Sequence, residues 1–353
     1  MMSFRNNRLQ QLVLPMSTAR LLSDIAQARG RQQEFMRQAA LILNPLHQQA
    51  LLQAAEAANR VEGMTVSPDR VELLVLRRAR PENPAEQAVR GYGLALQEVH
   101  DRHARLGIKP EVIRRLHAIC MAGSSDAGQF KRADEKAVQL VDGGPAVSRL
   151  RPVPAKAAAG AVGELCRLYE QAVQQDQLPP LIAVGALALD FLCIHPFRQG
   201  NGRVSFLLTL LALYHHEYEV GRYVSLERLI EQSKDDYHTS LQRSAQQWHE
   251  GRHDLIPWLE FFLRTVRSAY AEFDREAKKV CSLHGARTRL VKEAIASAPA
   301  EFSLTELERR CPNVNREMIR WVLRDLKARG QVECLGRGPG AKWRKKGSLT
   351  KKR

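Results

Sequence analysis

The stretch HPFRQGNGRVSF, which begins at His195, combines residue types that could bind and transfer a phosphate group. Gly200 and Gly202 let the backbone turn tightly and approach a ligand closely. A helix that starts here would add unpaired N–H groups and a positive dipole end, which favour an anion. Arg203 supplies a fork of donors, and His195 could act as general base on an attacking hydroxyl. A glycine turn beside a packed histidine is the simpler alternative.

Two apolar segments must position these residues. Leu181–Ile194 is apolar nearly all round, interrupted only by Asp190, and indicates a helix buried at the centre of a domain. The proline after His195 disfavours the α conformation at that histidine, so the helix should end there. A second apolar helix should start near Arg203. The histidine would then face a cleft between two buried helices.

Most of the chain before about residue 330 is rich in Ala, Leu, Gln, Glu and Arg, a composition that predicts helices. One helix should run near His47–Glu62 and stop at Gly63, and Asn83 should cap another. The segment Gly123–Pro154 differs, because it is rich in Gly, Ser and Asp. It predicts an exposed hairpin or flap.

The section from Ser282 to Arg344 has the pattern of a winged helix-turn-helix domain. Its three predicted helices are Arg287–Ser297, Leu304–Arg310 and Asn315–Arg329. Ser303 and Glu306 form a capping-box pattern before the second helix. Two strand-like pieces, QVECL and AKWRK, follow with GRGPG between them.

The third helix of this section would be the recognition helix, with an apolar stripe on one side and a basic stripe on another. The basic residues are Arg316, Arg320, Arg324 and Lys327. Residues 281–353 hold 18 Lys and Arg against 7 Asp and Glu, which gives +11 of the chain's net charge of +16. A concentrated positive region indicates nucleic acid as a partner. A solvated face, or a winged helix that docks on protein, fits the same pattern.

The six cysteines are scattered and form no CxxC pair, which favours reduced thiols in a cytoplasm over disulfides or a zinc site. The first residues lack the apolar core of a secretory signal, and the longest apolar runs are too short to span a bilayer. We therefore expect a cytoplasmic protein with no membrane partner.

The stretch HPFRQGNGRVSF resembles the signature of the Fic family (filamentation induced by cAMP), H-P-F-x-[D/E]-G-N-G-R-x-x-R. GQFK at Gly128–Lys131 is similar to the family's G-x-[F/Y]-R element at the start of its flap. RVEG at Arg60–Gly63 resembles part of the family's inhibitory motif, [S/T]-x-x-x-E-G. The run IPWLEFFL resembles the end of the Fic core, and a C-terminal winged helix is a common companion. The resemblance spans residues 10–275 and the appended domain.

The resemblance implies a mainly α fold, in which a Fic-type helical core carries a β-hairpin flap and is followed by the winged helix-turn-helix domain. The expected divisions are an N-terminal helical region with an inhibitory-like helix, the Fic core, the winged helix and a basic tail. They cover residues 1–82, 83–279, 280–346 and 347–353, respectively.

The resemblance also implies transfer of AMP from ATP to a Ser, Thr or Tyr hydroxyl of a target protein. His195 would be the base that deprotonates this hydroxyl, and Phe197 would anchor the loop. The phosphates would be held by Gly200, Asn201, Gly202 and Arg203. A flap that begins with Gly128, Phe130 and Lys131 would align the target segment by strand pairing.

Two positions depart from the family signature. The acidic residue that binds Mg²⁺ in the family is Gln199 here, and a neutral amide is a weaker ligand for this hard cation. The second arginine of the signature, associated with the γ-phosphate, is Phe206, which cannot pair with an anion. The family's use of ATP and Mg²⁺ therefore comes with an altered metal position and an altered outer phosphate clamp.

Glu62 matches the inhibitory glutamate, which in the family pairs with that second arginine. Its partner is missing here, and Ala58 replaces the Ser or Thr four residues earlier. Glu62 is therefore either a relic on a surface helix or the partner of Arg203 or Arg198. The relic interpretation is favoured, and it predicts that Glu62→Gly changes activity little.

Two functions stay open at this point. One is a Fic-type transferase, either weakened by Gln199 and Phe206 or adapted to another phosphate-containing donor. The alternative is a non-catalytic regulator that binds nucleotide and contacts DNA through its winged helix. A second copy of the chain is a further candidate partner.

Overall fold

The computed structural model describes residues 2–39, 43–134, 138–139, 149–175, 178–282, 286–312, 314–336 and 341–346. The fold is mainly α-helical, with short strands in two small sheets. The helices are α1 (Met16–Ala39), α2 (Asn44–Arg60), α3 (Pro68–Val75), α4 (Pro84–Arg102), α5 (Pro110–Cys120), α6 (Ala155–Gln174), α7 (Pro180–Ile194), α8 (Asn201–His215), α9 (Leu226–Gln232), α10 (Lys234–Ala245), α11 (Ile256–Ser282), α12 (Ala286–Ser297), α13 (Leu304–Arg310) and α14 (Arg316–Ala328). The strands are β1 (Val138–Gln139), β2 (Arg149–Leu150), β3 (Glu301–Ser303), β4 (Val332–Cys334) and β5 (Lys342–Lys345).

Local sequence signals set several helix starts. The Asn83 side chain accepts a hydrogen bond from the Glu86 backbone N–H at 2.9 Å and so caps α4, as predicted. Ser303 and Glu306 form the predicted capping box at the start of α13. Such caps satisfy N–H groups that have no partner within the helix.

The chain forms two compact units. The first comprises residues 1–29 and 47–272, and the second comprises residues 30–46 and 273–353. α7 lies in the first unit, and all its residues from Leu181 to Ile194 are buried, as the apolar run predicts. α8 packs on α7 and is also covered by α4 and α5, so both flanks of the HPFRQGNGRVSF loop are anchored in the core.

Asp190 is a polar residue on α7 that is completely buried. Its carboxylate accepts hydrogen bonds from the Ser3 N–H at 2.7 Å, the Ser3 hydroxyl at 2.9 Å and the Trp248 indole N–H at 2.7 Å. Burial raises the pKa of Asp190 to about 6, although these three donors oppose that rise. The interruption in the apolar run is therefore an attachment point for the N-terminal segment.

The expected flap is partly described. Val138 pairs with Leu150 and Gln139 with Arg149, so β1 and β2 form an antiparallel pair. The remainder of the predicted hairpin, residues 135–137 and 140–148, lies outside the described residues.

The second unit contains α12, α13, α14 and a three-stranded antiparallel sheet in the order β3-β5-β4. The predicted apolar stripe of α14 is buried, and it comprises Ile319, Val322, Leu323 and Leu326. β3 was not predicted, because its three residues are too few to show strand alternation; Phe302 is nevertheless buried in this core. Among the described helices, none combines the length and the apolar character that a membrane span needs.

Candidate functional site

His195 follows directly on the last residue of α7 and adopts the left-handed conformation, with φ 50° and ψ 61°. The following proline disfavours right-handed helical backbone at this position, and the buried helix holds the histidine at a fixed place. Its ring lies beside the Leu192 backbone. Burial, together with the charge of Lys131, lowers the pKa of His195 to about 4. The imidazole is therefore neutral at pH 7 and can accept a proton.

The glycine turn ends at α8, which begins two residues earlier than the predicted Arg203. Gly200 has φ +76°, a conformation that favours glycine, and an added Cβ would lie 2.9 Å from the Met121 sulfur. The turn therefore brings backbone N–H groups of a helix N-terminus to the surface of the loop, as an anion site requires.

The Asn201 side chain forms its hydrogen bonds within the loop and not with the cavity. Its Oδ1 accepts from the Phe197 N–H at 2.9 Å, and its Nδ2 donates to the Phe197 carbonyl at 2.7 Å. Phe197 is completely buried and stacks on His117 at 3.7 Å between ring centroids. The expectation that Asn201 holds phosphate can therefore apply only to its backbone N–H.

Glu62 forms an ion pair with Arg203, with 2.8 Å between Oε2 and Nε. The Arg203 side chain is 4% exposed, and its other nitrogens contact Asn59 Oδ1 at 3.4 Å and Met121 Sδ at 3.1 Å. α2 ends at Arg60, so Glu62 lies in the turn after the helix, where Gly63 has φ +80°. The favoured relic interpretation of Glu62 is thus wrong, and its pairing with Arg203 is the correct alternative. Arg198 pairs instead with Asp126 at 2.8 Å.

Phe206 lies three residues after Arg203 on α8 and is 7% exposed. It lines a small apolar cavity of about 30 Å³ together with Tyr237, Trp258 and Phe261. The position that carries an arginine in the Fic signature is here part of the core. Phe206 offers no charge, and Glu62 pairs with the remaining arginine of the signature, Arg203.

The donor set around Gln199 does not fit a resident Mg²⁺ ion. Gln199 is exposed and offers a neutral amide, while the nearby carboxylate of Glu62 is engaged by Arg203. Within the described residues, no group of three His, Cys, Asp or Glu side chains could hold a metal.

The first residues of the flap are bound to the motif loop. The Lys131 N–H donates to the Pro196 carbonyl at 2.9 Å, and the Phe130 ring lies 5.2 Å from the Phe197 ring. Gly128 has φ +73°, and an added Cβ would lie 3.0 Å from the Ala118 Cβ. The sequence thus requires glycine here for both conformation and space.

One cavity of about 830 Å³ is lined by the residues that the sequence singled out and by others that it did not. The predicted ones include Glu62, His195 and the turn from Gln199 to Arg203. On the other walls lie Met64, residues 81–84 and residues 120–124. The size suits a ligand as large as a nucleotide.

The region from residue 107 to residue 213 matches the model of the Fic/DOC family. Residues 107–213 form a Fic/DOC domain. The match runs from the turn before α5 to the last part of α8, so it contains the start of the flap and the whole HPFRQGNGRVSF loop.

Solved structures of Fic proteins share the fold. A Fic family protein from Desulfovibrio desulfuricans has a TM-score of 0.61 at 20% identity, covering 96% of this chain and 99% of its own. A Fic domain containing signaling protein from Bacteroides thetaiotaomicron has a TM-score of 0.59 at 16% identity, covering 72% and 98%. Fic-1 from C. elegans has a TM-score of 0.57 at 16% identity, covering 74% and 73%. At these identities the likeness establishes the fold alone.

The basic residues singled out in the second unit lie outside the Fic/DOC domain. Arg316, Arg320, Arg324 and Lys327 are all exposed on α14. Arg316 pairs with Glu308 at 3.2 Å and Arg320 pairs with Glu317 at 2.6 Å, which reduces the free positive charge of the stripe.

His117 and Met121 contact the HPFRQGNGRVSF loop at Gln199 and Arg203, and no short motif points to either of them. His117 lies on the buried side of α5, beside Ile113 and Leu116. Burial lowers its pKa to about 4, so the ring is neutral. A histidine on an apolar helix face must find hydrogen-bond partners, and that requirement was the available signal.

Proposed function

We propose that this chain transfers AMP from ATP to a Ser, Thr or Tyr hydroxyl of a target protein. The supporting observation is that the neutral His195 and the N-terminal end of α8 line the same cavity. A base and an anion site are thereby held on two buried helices whose positions are fixed by packing. The members of the Fic/DOC family generally transfer nucleotides, and the chemistry of this cavity is suited to that reaction.

In the proposed reaction, the target hydroxyl oxygen attacks the α-phosphorus of ATP. His195 accepts the hydroxyl proton, the new bond forms between oxygen and phosphorus, and the bond to the β-phosphate bridging oxygen breaks. Pyrophosphate leaves, and AMP stays on the target. The backbone N–H groups of residues 200–202 stabilise the negative charge on the phosphate oxygens.

Arg203 can assist only after it leaves Glu62. The carboxylate of Glu62 lies against the first turn of α8, since a Cβ added to Gly202 would be 3.3 Å from its Oε1. Glu62 therefore holds an anionic group beside the helix N-terminus and neutralises Arg203. We infer that Glu62 slows transfer by competing with the phosphates for this charge.

The target segment would bind along the flap. β1 and β2 already form an antiparallel pair, and an extended peptide can add to such an edge through backbone hydrogen bonds. This mode of binding tolerates many target sequences, because the backbone supplies the contacts.

A transfer assay with α-labelled ATP and a cell extract tests the proposal. Native protein is compared with His195→Ala, each with Mg²⁺ and with Mn²⁺. Label that native protein transfers and His195→Ala does not would support the transferase. The same variant must bind nucleotide as native protein does, because only the base has been removed.

The double variant Gln199→Asp/Phe206→Arg restores the two altered positions of the signature. It tests whether the extract contains a target when native protein transfers no label. Label from this variant and none from native protein would contradict catalysis with ATP and favour a regulator or a different donor. Its folding must be checked by urea unfolding, since position 206 lies in the core.

A second candidate function is DNA binding by the second unit, which we propose to be a winged helix. Its α14 exposes the four basic residues named above, and Trp321 on the same helix is 52% exposed. A salt titration of duplex binding tests it. If Arg320→Ala/Arg324→Ala leaves both the affinity and the salt slope unchanged, this helix does not contact DNA.

A further inference from the structure

His117 is bonded to two separate segments of the site. One ring nitrogen, Nδ1, accepts the Gly128 backbone N–H at 2.9 Å. The other, Nε2, lies 3.1 Å from the Gln199 carbonyl oxygen. The ring face stacks on Phe197, with 3.7 Å between centroids and 4° between planes. A single side chain thus contacts the start of the flap, the loop anchor and the glycine turn.

The partners of His117 determine where its proton lies. A backbone N–H can only donate, so Nδ1 must be the unprotonated acceptor. The proton of the neutral ring then lies on Nε2, and it donates to the Gln199 carbonyl. The ring is held in one tautomer and one orientation.

The bond to Gln199 fixes the direction of the next N–H group. The described chain contains no cis peptide bond, so the peptide between Gln199 and Gly200 is trans. In a trans peptide the C=O and N–H groups point in opposite directions. Because the carbonyl is turned inward to His117, the Gly200 N–H is turned away from it, toward the cavity. Among the described residues, no backbone carbonyl accepts a hydrogen bond from that N–H.

We propose that His117 is a positioning residue that directs the Gly200 N–H at a phosphate bound in the cavity. Gly200 can rotate more freely than other residues, so its peptide needs an external restraint. His117 supplies it from a buried helix. This inference rests on the proposed nucleotide-binding function of the same cavity.

Three substitutions of His117 separate its two hydrogen bonds. Glutamine can place an amide N–H near the Nε2 position and keep the bond to Gln199. Asparagine can place its oxygen near the Nδ1 position and keep the bond to Gly128. Phenylalanine keeps the stacking and loses both bonds. Arg115→Gln is the matched control, because Arg115 is an exposed residue of the same helix that pairs with Glu98.

Binding of α,β-methylene ATP is measured by calorimetry, with the Tm of each variant. We expect His117→Asn and His117→Phe to weaken binding by roughly 10- to 100-fold, as for a lost hydrogen bond to a charged group. His117→Gln should stay within about threefold of native protein. Equal loss in all three variants, unchanged binding in all three, or loss in the glutamine variant alone would overturn the proposal.

Hydrogen exchange and ¹⁵N NMR test the positioning role of His117 even if native protein binds no nucleotide. Failure to bind nucleotide would itself contradict the proposed function. The Gly200 amide should exchange quickly in native protein and more slowly in His117→Phe, where the peptide is free to turn inward. The His117 ring should carry its proton on Nε2. A protected Gly200 amide in native protein, or a proton on Nδ1, would overturn the positioning role.

Discussion

Glu62 Oε2 lies 2.8 Å from Arg203 Nε, which joins the turn after α2 to the first turn of α8. Arg203 is the remaining arginine of the motif, since the other position holds the buried Phe206. The pair is largely shielded from water on the arginine side, where exposure is 4%, and it is therefore less weakened by salt than a surface pair. The Glu62 carboxylate thus neutralises the Arg203 charge that would otherwise be available to a phosphate.

Glu62→Gln should strengthen nucleotide binding, because it frees Arg203 while keeping the size of the side chain. We expect a gain of about tenfold in affinity for α,β-methylene ATP, the scale of one charge-assisted hydrogen bond. Calorimetry measures it, and label transfer should rise in parallel. Glu56→Gln is the control, because Glu56 pairs with Arg60 on the same helix. Unchanged or weaker binding in Glu62→Gln would show that the pair does not restrain Arg203.

Sequence reasoning located His195, the glycine turn and the two helices that hold them, because each has a local cause. The end of α7 at Ile194 follows from the proline after His195, and the burial of α7 follows from its apolar composition. The flap residues Gly128 and Phe130 were found in the same way, from a short motif.

Partner choice was harder to infer, because it depends on distances between segments far apart in the chain. The sequence favours the interpretation of Glu62 as a relic, yet Glu62 forms an ion pair with Arg203, which lies 141 positions later in the chain. His117 gave no motif at all, although it binds Gln199 and Gly128. No local sequence rule predicts these contacts between distant segments. A buried polar side chain indicates only that it must have a hydrogen-bond partner.

The pH dependence of transfer should follow the protonation of His195, whose pKa is lowered by the charge of its neighbour Lys131. Burial and the Lys131 charge lower the pKa of His195 to about 4, so the neutral base is present above that pH and lost below it. In Lys131→Met the imidazolium is less disfavoured, which raises the pKa and moves the loss of transfer to higher pH. The measurement is kcat/KM between pH 4 and 8, with Arg132→Gln as an exposed neighbouring control. If the loss of transfer in Lys131→Met moved to lower pH, this assignment would be contradicted.

Phe206→Arg alone should destabilise the Fic/DOC domain. The ring contacts the apolar cavity beside Tyr237 and Trp258, where a guanidinium has no described acidic residue on the cavity wall except Glu227. Glu227 already accepts hydrogen bonds from Tyr92 at 2.6 Å and Ser225 at 3.0 Å. We expect the free energy of unfolding to fall by about 1–3 kcal/mol, because an arginine replaces a packed core ring and must share Glu62 with Arg203. Phe206→Leu should cost about 1.5 kcal/mol or less. Urea unfolding measures both, and equal effects would show that charge is not the cause.

Trp248→Phe should destabilise the first unit in a pH-dependent way, because the indole N–H donates to the buried Asp190 carboxylate at 2.7 Å. The pKa of Asp190 is about 6, so this bond acts on a charged group above that pH and on a neutral one below it. Loss of the donor raises the pKa further. The stability lost in the variant is therefore largest above pH 6, at about 1.5–3 kcal/mol, and shrinks as the pH falls through 6.

Trp258→Phe is the matched control for this prediction, because its indole N–H donates to the uncharged Gly185 carbonyl at 2.8 Å. Loss of that bond should cost about 0.5–1.5 kcal/mol at every pH, beyond the change in packing that both variants share. Urea unfolding at pH 5 and pH 7.5 measures the two differences. A Trp248→Phe effect that is constant between these pH values, like that of the control, would show that Asp190 does not titrate in this range.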